Sequence, residues 1–313
     1  MLRNTKKLYF WLILTIIYKI SNYCLILNYI REILDLINLK NNKDMKPLYI
    51  LKIGGSVATY KNRSGALIRT PLLAKIAESI RKAQKEKKFR LILIHGAGSI
   101  GHQLAKKYNL MSGVNGDKKK LYGSLISRLA NQKLNTAITE IFIEKGLNVT
   151  PAHTSSIIIQ ENKRLTDCNL KIIKEALSQN YIPLLYGEMV FDTKLGMSIC
   201  SGDAIAPYLA KKLKAQKIFF ASDIDGIFTR DPHIHKDARL IEKVSLKDIE
   251  KNATLSKSHN IDVTSGLLGK IKSLNIASDK SIKTVEIFNG LEGKNYERAL
   301  LNKKFPHTII CHK

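Results

Sequence analysis

The chain has 313 residues, 44% of them hydrophobic, and carries 52 Lys and Arg against 26 Asp and Glu, a formal charge of +26. Length and apolar fraction are those of a globular protein with one large or two small domains. The charge invites a nucleic-acid or anionic-membrane reading, but the lysines are scattered and not interleaved with aromatics, which disfavours a nucleic-acid partner. The four cysteines, Cys24, Cys168, Cys200 and Cys311, make no CxxC pair, and the eight histidines show no metal-ligand spacing. No metal site is therefore assigned to protein residues, and a reduced, cytoplasmic setting fits.

Residues 1–44 stand apart. They hold seven Lys and Arg against three Asp and Glu, so the remaining chain still carries +22. Leu8–Tyr18 is apolar and flanked by Lys6 and Lys7, and a second apolar run covers Tyr23–Ile30. A membrane helix of about twenty residues over 8–30 would have to bury Lys19, Asn22 and Asn28. No small-residue cleavage site follows, which argues against a secretory signal. Two readings stand: a membrane anchor, or an extension upstream of a start at Met45. Membrane contact is expected only through this segment.

From Met45 onward, apolar strand patterns alternate with helical ones. Strands are expected at 48–53, 91–95, 147–150, 182–186, 217–222 and 283–288. Helices are expected at 71–87, 100–107, 121–145, 169–179, 203–213 and 264–279. This alternation predicts an α/β fold, one mostly parallel central sheet flanked by helices. The domain is expected to cover 45–313, with an acceptor lobe to about 190 and a nucleotide lobe over 191–313.

Four segments punctuate the pattern in order. Lys52-Ile-Gly-Gly-Ser56 closes the first strand, and its glycines bare backbone amides to an anion. On its own, Gly-Gly after a strand is also an ordinary tight turn. His95-Gly-Ala-Gly-Ser-Ile-Gly-His102 closes the second strand. Its GxGxxG spacing admits a dinucleotide loop, but it lies in the second strand–helix unit, and no acidic residue follows about twenty positions later. His102, near a helix start, offers an imidazole to a phosphate monoester. Ser201-Gly-Asp203 opens a helix with a carboxylate where the dipole favours one. Asp262-Val-Thr-Ser-Gly-Leu-Leu-Gly-Lys270 is a further glycine-rich loop ending in a cation. Ser222-Asp-Ile-Asp-Gly226, after the fifth strand, supplies carboxylates near a nucleotide or is a capped turn. Two phosphate loops with lysines between them are equipment for moving a phosphoryl group onto an anionic acceptor.

Through these segments and Tyr186-Gly-Glu188, the chain over about 48–312 resembles the isopentenyl phosphate kinase family of the amino acid kinase superfamily. Lys-x-Gly-Gly-Ser and Ser-Gly-Asp are shared across that superfamily. Gly-Ser-x-Gly-His is narrower and is shared with fosfomycin-resistance kinases. The resemblance implies a three-layer sandwich, ATP and Mg²⁺ as cofactors, isopentenyl phosphate as acceptor, and a homodimer. It implies that Lys52 and Lys270 contact the ATP phosphates, with Lys61, nine residues after Lys52, at the transferring group. Ile53, Gly54, Gly55 and Ser56 would line the nucleotide phosphate loop, and Asp223 and Gly266 would touch ATP. Gly98 would meet the transferring group, Ala97, His102 and Gly187 the acceptor phosphate, and Asp203 would organise the lysines.

Three positions depart from the family pattern: Ile100 for Phe, Glu188 for Asp, and Ser265 for Gly. The first two bear on the acceptor. A phosphonate or other small-acid kinase of the same superfamily is the alternative enzyme, and a non-catalytic basic binding module the remote one. Leu121, Leu125 and Leu129 recur at four-residue spacing and fit either an apolar acceptor pocket or plain core.

Overall fold

The structure is a computed structural model that describes residues 46–60, 67–230, 232, 234–245, 248 and 282–311. The strands among these residues are β1 (Leu48–Ile53), β2 (Arg90–His95), β3 (Val149–Pro151), β4 (Ile158–Glu161), β5 (Arg164–Cys168) and β6 (Ile182–Tyr186). They continue with β7 (Glu188–Asp192), β8 (Gly196–Cys200), β9 (Lys217–Ser222), β10 (Lys243–Ser245), β11 (Thr284–Asn289) and β12 (His307–Cys311). The α-helices are α1 (Gly55–Ala58), α2 (Thr70–Glu86), α3 (Gly98–Lys107), α4 (Lys118–Glu144), α5 (Thr154–Ile157), α6 (Leu170–Ser178), α7 (Gly202–Leu213) and α8 (Lys294–Leu301).

Eight strands form the central sheet in the order β10-β12-β11-β9-β1-β2-β6-β3. From β11 to β3 every pairing is parallel, and β12 runs antiparallel to β11. All six residues of β1 are buried, as expected for a strand covered on both faces. Its alternation splits the interior in two. Leu48 and Ile50 join the core beneath α6 and α7, while Tyr49, Leu51 and Ile53 join the core beneath α2, α4 and α8. Each fully buried Ile or Leu in these layers contributes roughly 1.5–3 kcal/mol of transfer free energy.

One continuous sheet was the expectation, and the structure has two. The strands β5-β4-β7-β8 form a separate four-stranded sheet. It pairs 158–168 with 188–200, so the lobe boundary expected near 190 falls inside β7. β4 alternates buried and exposed residues and β5 is mostly exposed, and all four strands are only four or five residues long, so no long apolar run announces them.

Helix α4 begins three residues before its expected start because Asp117 caps it, accepting from the N–H of Lys119 at 2.8 Å and of Lys120 at 3.0 Å. The first half of the helix is built inside out, while Leu134, Ile138 and Phe142 of its second half are ordinary core. Ser124, Ser127, Asn131, Asn135 and Thr139 are buried, whereas Leu121, Leu125 and Leu129 are 46%, 50% and 47% exposed. The leucine stripe is therefore not core, and it faces away from the buried side of the helix. No helix among the described residues is long and apolar enough to cross a membrane. Residues 1–44, Lys61, Ser265, Gly266, Lys270 and the helix expected at 264–279 lie outside the described residues.

Candidate active site

Because β1, β2, β6, β9 and β11 run parallel, their carboxyl ends share one edge, where open α/β sheets bind ligands. Backbone bonds stitch the loops at that edge together. Gly54 N–H donates to Ala221 O at 2.8 Å, Gly96 N–H to Ile53 O at 3.0 Å, and Gly187 N–H to His95 O at 3.0 Å. The first two loops touch backbone to backbone. A Cβ at Gly55 would lie 2.8 Å from Gly98 N, and one at Gly96 would lie 2.6 Å from Gly55 N, both closer than carbon tolerates. Gly98 also holds φ at +65°, a left-handed conformation costly for other residues.

Thr59 fastens the two loops from below. Its hydroxyl donates to Gly55 O at 2.9 Å and accepts from Ser99 N–H at 2.9 Å. That bond takes one of the amides at the start of α3. The N–H groups of Gly55 and Ser56 on one loop, and of Ala97 and Gly98 on the other, have no hydrogen-bond partner among the described residues. Facing amides at two helix starts form a ready cradle for two anionic groups.

The charged members converge on the same place. Lys52 Nζ stands 2.9 Å from Asp203 Oδ1, with the lysine side chain 7% exposed. Asp203 occupies the first turn of α7, whose cap is the Ser201 hydroxyl accepting from Ala204 N–H at 3.2 Å. Gly202 packs close to Ile94, where a Cβ would lie 3.1 Å from Ile94 Cγ2. His102 is exposed, one turn into α3. Asp223 follows β9 directly and is half-buried.

A polar wall backs the acceptor side. His95 is fully buried and stacked on Tyr186, with ring centroids 5.2 Å apart. Burial, aided by the nearby Lys52 charge, pulls its imidazole down to about 4, so the ring is neutral near pH 7. The Tyr186 hydroxyl lies 2.8 Å from His153 Nδ1, and burial raises its phenol above the usual range. Glu188 is 1% exposed and accepts from Ser155 N–H at 2.7 Å. Arg128 donates to Ser155 Oγ at 2.8 Å, but its Nε is 3.9 Å from Glu188 Oε2, too far for a hydrogen bond. Burial therefore prevails and raises the Glu188 carboxyl above its ordinary value.

The structure thus brings together Lys52, Gly54, Gly55, Ser56, Ala97, Gly98, Gly187 and Asp203 at one edge, with Asp223 at the end of the neighbouring strand. Gly187 has its N–H committed to His95 O, so what it offers a ligand is close approach rather than that donor. Ile53 is fully buried, and its carbonyl serves Gly96. Sequence reasoning missed Thr59 and Asn135, and it quoted His95 and Tyr186 within their segments without giving either a role. For Asn135 the readable signal was the buried face of α4, in polar residues at 127, 131, 135 and 139 spaced by four.

The family model described as the amino acid kinase family matches residues 47–289. The chain is 31% identical over 272 residues to an isopentenyl phosphate kinase of Methanothermobacter thermautotrophicus, covering 85% of this chain and all of that one. It is 33% identical over 272 residues to one of Methanocaldococcus jannaschii, covering 82% and 96%. Among solved structures, one described as isopentenyl phosphate kinase superposes with a TM-score of 0.72 at 28% identity, covering 84% of this chain and all of that one.

Proposed function

Since the chain belongs to the amino acid kinase family, we propose that it transfers the terminal phosphoryl group of ATP to isopentenyl phosphate, giving isopentenyl diphosphate and ADP. The observation that carries this reading is the pair of glycine loops in backbone contact, with unpartnered amides at Gly55 and Ser56 on one side and at Ala97 and Gly98 on the other. Two phosphates seated on such loops stand close enough for in-line attack. An oxygen of the acceptor phosphate attacks the γ-phosphorus as the bond to ADP breaks. That oxygen is already ionised at pH 7, so no strong base is required.

Lys52, held by Asp203, neutralises charge between the phosphates. We assign Lys61 and Lys270 the same task on the strength of the resemblance alone, with Asp223 and Gly266 at the nucleotide. His102 meets the acceptor phosphate together with Ala97 and Gly187, and Gly98 meets the transferring group. The amide cradle and Lys52 fit a triphosphate, and Mg²⁺ bound to ATP would supply further charge neutralisation. The named isopentenyl phosphate kinases similar to this chain support the acceptor assignment.

We also assign a second copy of the chain to the exposed apolar face of α4. Two copies packed antiparallel about Leu125 would cover Leu121, Leu125 and Leu129 of each with those of the other. Residues 1–44 we treat as separate from the kinase domain, and that domain as cytoplasmic.

The test is ADP release measured with isopentenyl phosphate, fosfomycin and acetylglutamate in parallel. Turnover is expected with isopentenyl phosphate. Turnover confined to fosfomycin or acetylglutamate would move the acceptor to the alternative small acids, and none with any of the three would sink the kinase reading.

A further inference from the structure

One buried hydrogen-bond chain lies behind the acceptor loop and has no part in the phosphoryl transfer described above. His95 Nδ1 is 2.8 Å from Gly96 O, and His95 Nε2 is 3.2 Å from the Asn135 carboxamide at Oδ1. A carbonyl oxygen only accepts, so Nδ1 carries the hydrogen. The neutral ring has no second N–H, and Nε2 is then a lone pair in need of a donor. Asn135 is fully buried, and its Nδ2 has no hydrogen-bond partner. A half-turn of the carboxamide brings that Nδ2 onto Nε2 and satisfies both groups at once.

The consequence reaches the ligand side through peptide geometry. In a trans peptide the C=O and N–H point in opposite directions. With Gly96 C=O held toward the imidazole, the N–H of the same peptide, which belongs to Ala97, points away from the buried ring. That N–H has no partner among the described residues. The main-chain oxygen of His95 meanwhile holds Gly187 N–H at 3.0 Å. His95 thereby joins the loop after β2 to α4 through its ring and to the loop after β6 through its main chain.

We propose that Asn135 is a positioning residue for the acceptor phosphate: through the His95 ring it fixes the Gly96–Ala97 peptide so that the Ala97 N–H is presented to the acceptor. This rests on the kinase reading for the identity of the ligand, though the clamp itself does not.

The test pairs spectroscopy with kinetics on the full chain. Imidazole ¹⁵N shifts of the wild-type protein should show His95 neutral with its hydrogen on Nδ1. Asn135→Leu removes the donor and should raise KM for isopentenyl phosphate about tenfold, with KM for ATP within twofold. Asn135→Asp presents only acceptors to Nε2. It should turn His95 into an imidazolium that still donates from Nδ1, and KM for the acceptor should stay within about threefold of wild type. A hydrogen on Nε2 in the wild type would overturn the clamp. So would a folded Asn135→Leu protein with unchanged acceptor KM, or equal rises in both constants. If Asn135→Leu does not fold, the wild-type tautomer and the Asp variant still decide. Failure of the wild-type enzyme on every acceptor would remove the kinase reading, and with it the acceptor role, while the ¹⁵N spectrum would still judge the clamp.

Discussion

The Lys52 ammonium and the Asp203 carboxylate meet 2.9 Å apart where β1 ends and α7 begins. Asp203→Asn would leave Lys52 almost buried and without its counter-charge. Breaking a fully buried pair costs about 3–5 kcal/mol, and because Asp203 is a quarter exposed we expect about 2 kcal/mol here. Saturating ATP should recover much of that loss, because a phosphate then faces the lysine. Thermal unfolding with and without ATP measures this. A deficit that ATP does not narrow would show that Lys52 does not face nucleotide phosphates.

His102→Ala should raise KM for the acceptor by roughly 10–100-fold, the equivalent of a charge-assisted hydrogen bond of about 1.5–3 kcal/mol. The imidazole is exposed on α3, so stability should move by less than about 0.5 kcal/mol. Steady-state kinetics with each substrate varied in turn decides the matter. An unchanged acceptor constant would remove His102 from the phosphate site.

Two buried titratable groups give stability opposite slopes with pH. His95 titrates at about 4 in the folded chain against 6.5 when free, so the unfolded state binds the extra proton. Stability from this group is complete above 6.5 and is lost as pH falls toward 4, on the order of 3 kcal/mol in all. Glu188 acts the other way. Its carboxyl is raised, so its contribution is present at low pH and is lost as pH rises through the folded value. Denaturant titrations from pH 4 to 8 should show His95→Gln flattening the acid limb. Glu188→Gln should gain stability at pH 7, and a loss there would mean that the Ser155 and Arg128 contacts outweigh burial.

Leu125→Asp should leave the fold intact and abolish self-association. Leu125 is half exposed, so the monomer loses little, whereas a charge centred in an apolar contact between copies is costly. Sedimentation equilibrium of wild type and variant at matched concentrations reads the outcome. A wild-type monomer, or a dimer indifferent to the substitution, would free the leucine face from this assignment.

The central strands were legible because a strand buried on both faces writes itself as an unbroken apolar run. β1, β6 and β9 match their expected bounds residue for residue. The second sheet was not legible in the same way. Arg164-Leu-Thr-Asp-Cys168 has only Cys168 buried, and its turn, Asn162 and Lys163 at φ +48° and +66°, carries no glycine to mark it. α8 and β12 were missed as well, each short and close to the end of the chain. At the site, glycines, lysines and Asp203 stood out because they sit next to strand ends. Thr59 and Asn135 did not. Thr59 reaches Ser99, and Asn135 reaches His95, each across forty positions of chain, and only the folded sheet makes them neighbours.

The mutual contact of Gly55, Gly96 and Gly98 limits how this site can diverge. At most crowded positions a larger residue can be accommodated by trimming its neighbour. At Gly55 and Gly96 the neighbour is already a glycine and the colliding atoms are main chain, while Gly98 meets the Thr59 and Leu134 side chains and is fixed instead by its left-handed φ of +65°. No compensating substitution is available at either loop, and paired changes meet the same wall as single ones. Acceptor preference in descendants or laboratory variants must therefore drift through the side chains around the cradle, such as Ile100, Arg128 and Glu188, while the glycines stay fixed as an evolutionary anchor.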